Sequence, residues 1–288
     1  MVSYKYRRPH RIRKKKSIFR SRFFWIALLV LFFLGAIFYF LIFSPIFQIK
    51  GIKISGNKKI QSQEVEGLIK EKINQRLLFF PTKSIFLINS KKIVNSLLEN
   101  FPQVEKIKLK RKLPTTLIVE IKERSPLAIF CQEENCFFLD KTGTIFEEGP
   151  EDGEEDKSSS SPFATARDYD LIIKSQNRKE ISLGQEIIQE EKLISILEIQ
   201  EKLKTNLKIV SKEFIIQNGD RVNVKTTEGW EIYFDLKNSF DWQITKLSLV
   251  LEKEIPPEKR GNLEYIDLRF GNFAPYKYRT TPTTEESP

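Results

Sequence analysis

The chain has 288 residues, and its net charge of +10 is the difference between 48 Lys/Arg and 38 Asp/Glu. The first 22 residues hold ten of the basic side chains and no acidic one, so the rest of the chain is formally neutral. The single histidine, His10, lies in this tail, which excludes Ser-His and Cys-His mechanisms from the remainder of the chain. Two cysteines without an outer histidine also cannot build the usual tetrahedral zinc site.

An uninterrupted apolar segment follows the basic tail. Residues 23–43 carry no charge and predict a helix of roughly 31 Å, which is about the thickness of the hydrocarbon core of a bilayer. Because basic flanks stay in the cytoplasm, residues 1–22 are predicted to be a cytoplasmic tail and the later residues extracytoplasmic. A cleaved signal peptide also begins with basic residues, but Ile42 and Ser44 do not form its small-x-small cleavage site.

The basic tail has a second possible partner in nucleic acid, because clustered Lys/Arg releases counterions from phosphates. The tail has few interleaved aromatic residues and matches no nucleic-acid recognition fold. Basic residues beside an anionic leaflet explain the same charge run. We therefore expect the membrane, and no nucleic acid, to be the partner of this segment.

Residues 46–124 show the pattern of a small domain with the order β-α-α-β-β. The predicted elements are a strand at 47–54, helices capped by Ser62 and Ser90, and strands at 104–111 and 117–122. A change of phase at Lys50-Gly51 predicts a bulge in the first strand. Pro102 is predicted to stop the second helix.

Residues 125–276 are richer in strands and predict a mixed β domain with mainly antiparallel strands and flanking helices. Strands are predicted at 128–130, 137–139, 144–146, 213–217, 221–226, 230–236 and 264–270, with helices within 186–204 and around 247–251. Asn218-Gly219 is a strong hairpin signal. Residues 147–162 combine seven acidic residues with a serine run and predict a solvated loop, and residues 277–288 predict a disordered tail.

Several motifs in these two modules resemble the FtsQ/DivIB family of cell-division proteins. The motifs are Gly56-Asn57, Phe101-Pro102-x-Val104, Lys110-Arg111-x-x-Pro114, Glu123-Arg124-x-Pro126-x-Ala128, Leu139-Asp140-x-x-Gly143-x-x-Phe146 and the run 266–270. The chain departs from the family at Gln103, where an aromatic residue is common, and at the insertion 147–162. The resemblance implies an α+β architecture with a cytoplasmic tail, one transmembrane helix, a polypeptide-transport-associated (POTRA) domain and a β domain.

The resemblance also implies a function. It predicts a non-enzymatic scaffold of the bacterial divisome in the cell membrane, which recruits FtsB/DivIC-like and FtsL-like single-pass proteins at the septum. It places the partner at the end of the β domain. The candidate partner-binding residues are Tyr265, Arg269, Phe270, Gly271, Asn272, Phe273, Tyr276 and Arg221, with Lys277 as a further charged flank.

The final predicted strand, 264–270, would offer unpaired backbone groups if it formed an open edge of the sheet. The aromatic residues around it could equally cover the core of their own domain. The sequence leaves both interpretations open.

Cys131 and Cys136 flank a four-residue loop between two predicted strands. Across a hairpin their Cα atoms would come within the separation that a disulfide bond needs, and an oxidising compartment would favour the bond. A pair of packed thiols is the alternative, and the sequence does not decide between them.

Two further functions stay open from the sequence. A POTRA domain also serves in protein translocation or outer-membrane assembly, but those proteins usually combine several such domains with a β-barrel, and no series of ~10-residue alternating strands follows here. The absence of a histidine beyond the tail disfavours a membrane-tethered hydrolase, although a Ser-Lys dyad, which has no reliable linear signature, stays open. We predict no enzymatic activity, cofactor, metal or small-molecule substrate.

Overall fold

A computed structural model describes residues 22–77, 80–149, 171–176, 180–217 and 219–279. Residues 1–21 of the predicted cytoplasmic tail 1–22, most of the predicted acidic loop and residues 280–288 lie outside the described residues. The first element is helix α1, Arg22–Phe43. Within the described part of the chain it is the one helix long and apolar enough to cross a membrane.

Side chains from the following domain hold the C-terminal end of α1. The last carbonyl groups of any helix lack partners within the helix. Here the Thr82 hydroxyl and the Gln48 amide both donate to the carbonyl oxygen of Ile42 at 3.0 Å, and the Ser84 hydroxyl donates to that of Leu41 at 3.3 Å. The helix is therefore joined to the next domain by specific contacts.

The first extramembrane domain has a three-stranded sheet in the order β1-β5-β4, with two helices packed on one face. Its elements are β1 Gly51–Ser55, α2 Ser62–Ile73, a small hairpin of β2 Gln75–Leu77 and β3 Phe80–Thr82, α3 Ser90–Asn100, β4 Val104–Lys112 and β5 Thr116–Glu123. Strands β1 and β5 are parallel, whereas β4 and β5 form an antiparallel hairpin. The apolar stripes of α2 and α3 cover one face of this sheet and form its core.

The beginning of this domain differs from the sequence prediction. The predicted strand 47–54 starts only at Gly51, because Pro45–Phe47 form a 3₁₀ turn and Gln48 pairs with Ser84 instead. The change of phase at Lys50-Gly51 therefore coincides with a change of partner segment, and both residues donate their N–H groups to the carbonyl oxygen of Thr115, at 2.9 and 3.3 Å. A periodicity rule cannot detect where a strand exchanges one partner for another.

Both predicted helix caps are also displaced by one residue. Helix α2 follows Gln61, and the Ser62 hydroxyl binds the Asn57 amide at 3.0 Å. Helix α3 is capped by Asn89, whose side chain accepts the backbone N–H of Lys92 at 3.2 Å. Polar residues compete for the capping position, and the packing of the preceding loop decides which one occupies it.

The second domain contains a nine-stranded sheet in the order β14-β13-β12-β11-β10-β9-β6-β7-β8. Its strands are β6 Ala128–Gln132, β7 Asn135–Leu139, β8 Ile145–Glu148, β9 Ile172–Ser175, β10 Ser211–Ile216, β11 Arg221–Thr226, β12 Glu231–Asp235, β13 Leu263–Asp267 and β14 Tyr276–Tyr278. Helices α4 Glu190–Asn206 and α5 Phe240–Lys253 cover one face, and a short helix α6, Pro257–Arg260, precedes β13. The sheet is mixed and mainly antiparallel, as predicted.

Two parts of the second domain were not predicted correctly. Strand β9 was missed, although it lies between β6 and β10 and is parallel to both. Its four residues have too short a pattern to identify without their neighbours. Strand β8 extends to Glu148, which pairs with Phe137, so the first two residues of the predicted loop 147–162 belong to the sheet.

Of two adjacent side chains at the end of β5, Glu123 binds within the first domain and Arg124 connects it to the second. Within the first domain, the Glu123 carboxylate accepts the backbone N–H groups of residues 58–60 at 2.7–3.1 Å. Arg124 donates to the carbonyl oxygen of Pro102 at 3.1 Å and forms an ion pair with Asp140 of the second domain. The Asp140 side chain is almost fully buried, and that of Arg124 is largely buried.

The environment of Asp140 keeps its carboxyl group ionised. Burial opposes the charge, but hydrogen bonds from the Thr142 hydroxyl, the Thr144 backbone N–H and Arg124 outweigh it and hold the pKa of Asp140 below its usual value. A buried ion pair with this many donors fixes geometry. The connection between the domains is therefore a structured joint.

Cys131 and Cys136 lie opposite each other in the β6–β7 hairpin and form a disulfide bond in the structure, with their sulfur atoms 2.01 Å apart. Both belong to a second apolar cluster, with Ile129, Phe138 and Phe146. This cluster lies on the sheet face opposite α4 and α5, because neighbouring strand residues alternate between faces.

We predict that the native protein contains this bond. After denaturation without reductant, an alkylating reagent should add no mass to the chain, whereas denaturation with reductant should add two adducts. Denaturation is essential, because buried thiols would also resist the reagent in the folded protein. Two adducts in the absence of reductant would show that the cysteines are packed thiols.

Candidate docking surface at the C-terminal end of the sheet

The C-terminal edge of the sheet is β14. Strand β13, which corresponds to the predicted strand 264–270, is covered on one side by β12 and on the other by β14, so it is not the open edge that the sequence left as one of two interpretations. Lys277 and Tyr278, predicted to begin a disordered tail, belong to β14. Within the described residues, no strand pairs with the outer side of β14.

The backbone groups on the outer side of β14 can be assigned from the antiparallel register. The Asp267 N–H donates to the carbonyl oxygen of Pro275 at 2.8 Å, and the Arg279 N–H donates to that of Asn262 at 2.8 Å. Inward and outward pairs alternate along an antiparallel strand. The N–H and C=O groups of Tyr276 and Tyr278 therefore face away from β13.

A buried lysine holds the loop between β13 and β14. Lys246, on α5, is only 5% exposed, and its ammonium group donates to the carbonyl oxygens of Leu268 at 2.5 Å, Phe270 at 3.0 Å and Phe273 at 3.4 Å. Burial lowers the pKa of Lys246, and the nearby Asp267 carboxylate partly opposes this shift. An ammonium group carries three donors, which matches the three carbonyl oxygens.

The same loop is held at a second point and presents aromatic side chains to the solvent. The Trp242 indole N–H donates to the carbonyl oxygen of Gly271 at 3.1 Å, one helical turn before Lys246. Phe270 is 53% exposed and Phe273 is 76% exposed. Alternation along the predicted strand 264–270 would place Phe270 on the same side as Ile266 and Leu268, but those two residues are fully buried and Phe270 is exposed, because β13 ends at Asp267.

Beside the loop, the sheet face opposite α5 carries a cluster of aromatic and basic side chains. Tyr233 stacks on Tyr265 with ring centroids 4.9 Å apart, and the Arg221 guanidinium lies 4.3 Å from the Tyr233 ring. Arg269 forms two hydrogen bonds to the Asp267 carboxylate. Burial favours the neutral acid at Asp267, but the Arg269 side chain and backbone N–H hold the pKa of Asp267 below its usual value.

The structure brings the predicted site residues together at one end of the sheet. Tyr265 lies beside Tyr233 and Arg221 on the sheet face opposite α5, and residues 269–273 form the loop between β13 and β14. Tyr276 is opposite the buried Ile266 and therefore lies on the α5 side of β14. The proposed charged flanks are engaged within the protein, because Arg221 also binds Asn223 at 2.8 Å and Lys277 pairs with Glu264 at 2.8 Å. Exposed aromatic rings and backbone groups therefore dominate the surface.

Sequence reasoning missed Tyr233, Trp242 and Lys246. For Lys246 a signal exists, since it lies in the buried stripe of α5 with Gln243 and Leu247, where a charged residue needs a buried partner. Tyr233 alternates with the buried Ile232 and Phe234, which places it on the other sheet face.

Comparisons with known proteins identify the family. A POTRA domain model of the FtsQ type matches residues 47–124, and a model described as cell division protein FtsQ/DivIB, C-terminal, matches residues 128–269. The chain belongs to the FtsQ/DivIB family. This is a family of scaffold-type cell-division proteins and is not a known enzyme family.

Curated relatives carry the same family name. The chain is similar to cell division protein DivIB of Clostridium acetobutylicum, with 30% identity over 103 residues that cover 36% of this chain and 38% of the relative. It is also similar to cell division protein DivIB of Clostridium botulinum strain Hall, with 29% identity over 138 residues that cover 48% and 49%. The chain thus spans about half or less of the length of these relatives.

We predict that Lys246→Met loosens the loop 268–275 while the rest of the sheet persists. The substitution removes all three donors, and each unsatisfied buried carbonyl group costs about 1–3 kcal/mol. Hydrogen–deuterium exchange on the full chain should show faster exchange in residues 268–275 and unchanged exchange in β10 and β11 of the same sheet. Lys253→Met, at an exposed position of the same helix, is the matched control and should leave the loop protected. Equal protection in both variants would contradict the role of Lys246.

Proposed function

We propose that this protein is a non-enzymatic, membrane-anchored scaffold of the bacterial divisome that links other single-pass division proteins at the septum. Membership of the FtsQ/DivIB family is the observation that carries the proposal. Helix α1 supports the anchor, and the ten basic residues before it support a cytoplasmic N-terminus by the positive-inside rule. The domains would then be extracytoplasmic, with boundaries near 46–124 and 125–279.

We propose that the surface around β14 receives the partner. The outward N–H and C=O groups of Tyr276 and Tyr278 can pair with an added strand. Phe270 and Phe273, exposed on the adjacent loop, would contact apolar side chains of that strand. The family resemblance suggests FtsB/DivIC-like and FtsL-like proteins as the partners.

The loop would bind as a preformed surface. Lys246 and Trp242 hold its carbonyl groups, so the positions of Phe270 and Phe273 are set before a partner arrives. A preorganised surface loses less conformational entropy on binding than a flexible one.

Two substitutions at one position test strand addition. Tyr276→Pro and Tyr276→Thr both remove the ring, but only the proline removes the outward N–H, and proline is tolerated on the free side of an edge strand. We expect the proline variant to bind an FtsB/DivIC-like partner at least about tenfold more weakly than the threonine variant. Titration of the full chain in detergent with the purified partner measures both affinities. Equal affinities of the two variants would contradict strand addition at β14.

The cellular role is tested by localisation. A fluorescent fusion of the full chain should form a band at mid-cell in dividing cells, because a divisome scaffold has to be present where the septum forms. The Tyr276→Pro fusion should still reach the membrane, since α1 is unchanged, but should fail to bring its partner to mid-cell. A uniform membrane signal for the unmodified fusion would count against the divisome role.

A further inference from the structure

The end of the POTRA domain nearest α1 carries exposed apolar and basic side chains side by side. This surface, which we call the membrane-proximal pole, consists of Ile46, Lys50, Lys83, Phe86, Lys112 and Leu113. Ile46 is 54% exposed, Leu113 is 57% exposed and Phe86 is 38% exposed. The three lysines are also exposed, and within the described residues none of them has an ion-pair partner.

Direct contacts with α1 place the first part of this pole close to the end of the helix. Lys83 lies between Thr82 and Ser84, the two residues whose hydroxyl groups bind the last turn of α1. Ile46 follows Phe43 by three residues, so it lies at most about 10 Å of extended chain from the end of the helix. The rings of Phe47 and Phe86 are 5.3 Å apart, which holds Phe86 beside the same segment.

Sheet topology brings the β4–β5 turn to the same end of the domain. Strands β1 and β5 are parallel, and Gly51 is opposite Thr116, so both strands begin at the end where the chain leaves α1. The Lys50 N–H donates to the carbonyl oxygen of Thr115 at 2.9 Å. Lys112 and Leu113, in and beside this turn, therefore lie next to the first residues after the helix.

The chain segments that form the pole carry charge of one sign, and the neighbouring Glu66, which lines a pocket with Lys50 and Lys83, is paired with Lys70 at 2.7 Å. Residues 44–51, 82–88 and 111–116 contain four Lys/Arg and no Asp/Glu. Of these four, Arg111 donates to the carbonyl oxygen of Ile88 at 2.7 Å, which leaves the three exposed lysines to face outward. Apolar side chains next to unpaired lysines are the composition of a surface that lies at a lipid–water interface.

We propose that the membrane-proximal pole is a second membrane-contact site, in which Ile46, Phe86 and Leu113 enter the interface of the bilayer and Lys50, Lys83 and Lys112 bind anionic headgroups. The site rests on the proposed role of α1 as the membrane anchor and is continuous with it. It holds the POTRA domain against the outer surface of the membrane. The direction of the domain relative to the membrane would then be fixed by two contacts, the capped end of α1 and this pole.

Depth-dependent quenching on the full chain tests the contact. The chain is reconstituted into vesicles containing lipids with a nitroxide near the headgroup, after a fluorophore has been attached to Leu113→Cys without reductant. Leu98→Cys is the matched control, because Leu98 is an exposed apolar residue of the same domain, near the end of α3 that leads to β4. Unsubstituted chain taken through the same labelling gives the background. The label at 113 should be quenched at least about twofold more than the label at 98.

Lipid charge tests the role of the lysines. Adding phosphatidylglycerol to phosphatidylcholine vesicles should increase quenching at 113, because anionic headgroups attract basic residues within a Debye length. K50Q/K83Q/K112Q should abolish that increase. K58Q/K106Q/K253Q removes the same charge from exposed positions away from the pole and should retain it.

The outcomes separate this site from the anchor. A chain that fails to float with vesicles would overturn both the anchor and the pole. A chain that floats but shows equal quenching at 113 and 98 would overturn the pole alone. A label at 113 that is shielded from water but not quenched by lipid would show that protein covers the pole, and this would also overturn the proposal. Quenching that is insensitive to lipid charge and to the three substitutions would contradict the headgroup contact.

Discussion

Where two parts of this protein meet, backbone C=O and N–H groups that have no partner within a helix or strand form hydrogen bonds with side chains of the neighbouring part. The clearest example is the loop between β13 and β14, where the ammonium group of Lys246 donates hydrogen bonds to three carbonyl oxygens. Without these donors the loop would have to turn its carbonyl groups to water, since a buried, unpaired carbonyl group is costly. The edge strand β14 follows directly from this loop, so its position on β13 depends on the same lysine.

The same constraint operates at the other junctions. At the end of α1, Gln48, Thr82 and Ser84 supply donors to carbonyl groups that the helix leaves unpaired. At the end of β5, the Glu123 carboxylate accepts hydrogen bonds from three backbone N–H groups. The neighbouring Arg124 forms an ion pair with Asp140 of the second domain. Each joint is therefore specified by hydrogen bonds rather than by a flexible linker. In the proposed scaffold, such joints would transmit the position of α1 to the proposed docking surface.

The sequence predicted most reliably those helices and strands whose buried residues recur at a regular spacing within the element itself. Helices α3 and α4 were predicted from apolar residues at helical spacing, and strands β4 and β5 from alternating apolar and polar residues. In both cases the polarity of each residue indicates which face of the element is buried. The motifs of the POTRA domain and of the β6–β8 region were sufficient to recognise the family before any geometry was known. The aromatic residues 270, 273 and 276 are candidates for partner binding from the sequence, and the structure shows that all three are exposed, while their role stays a prediction.

The sequence alone determined that there is one membrane-length helix after a basic tail, followed by two α+β modules of a known family. These properties follow from composition and local periodicity, which are carried by neighbouring residues. Only the tertiary structure decided that β14 is the edge strand, that β9 enters the sheet between β6 and β10, and that a lysine of α5 holds the exposed loop. Those properties depend on partners ten or more residues apart in the chain, and the pairing of such backbone groups leaves no periodic signal in the sequence.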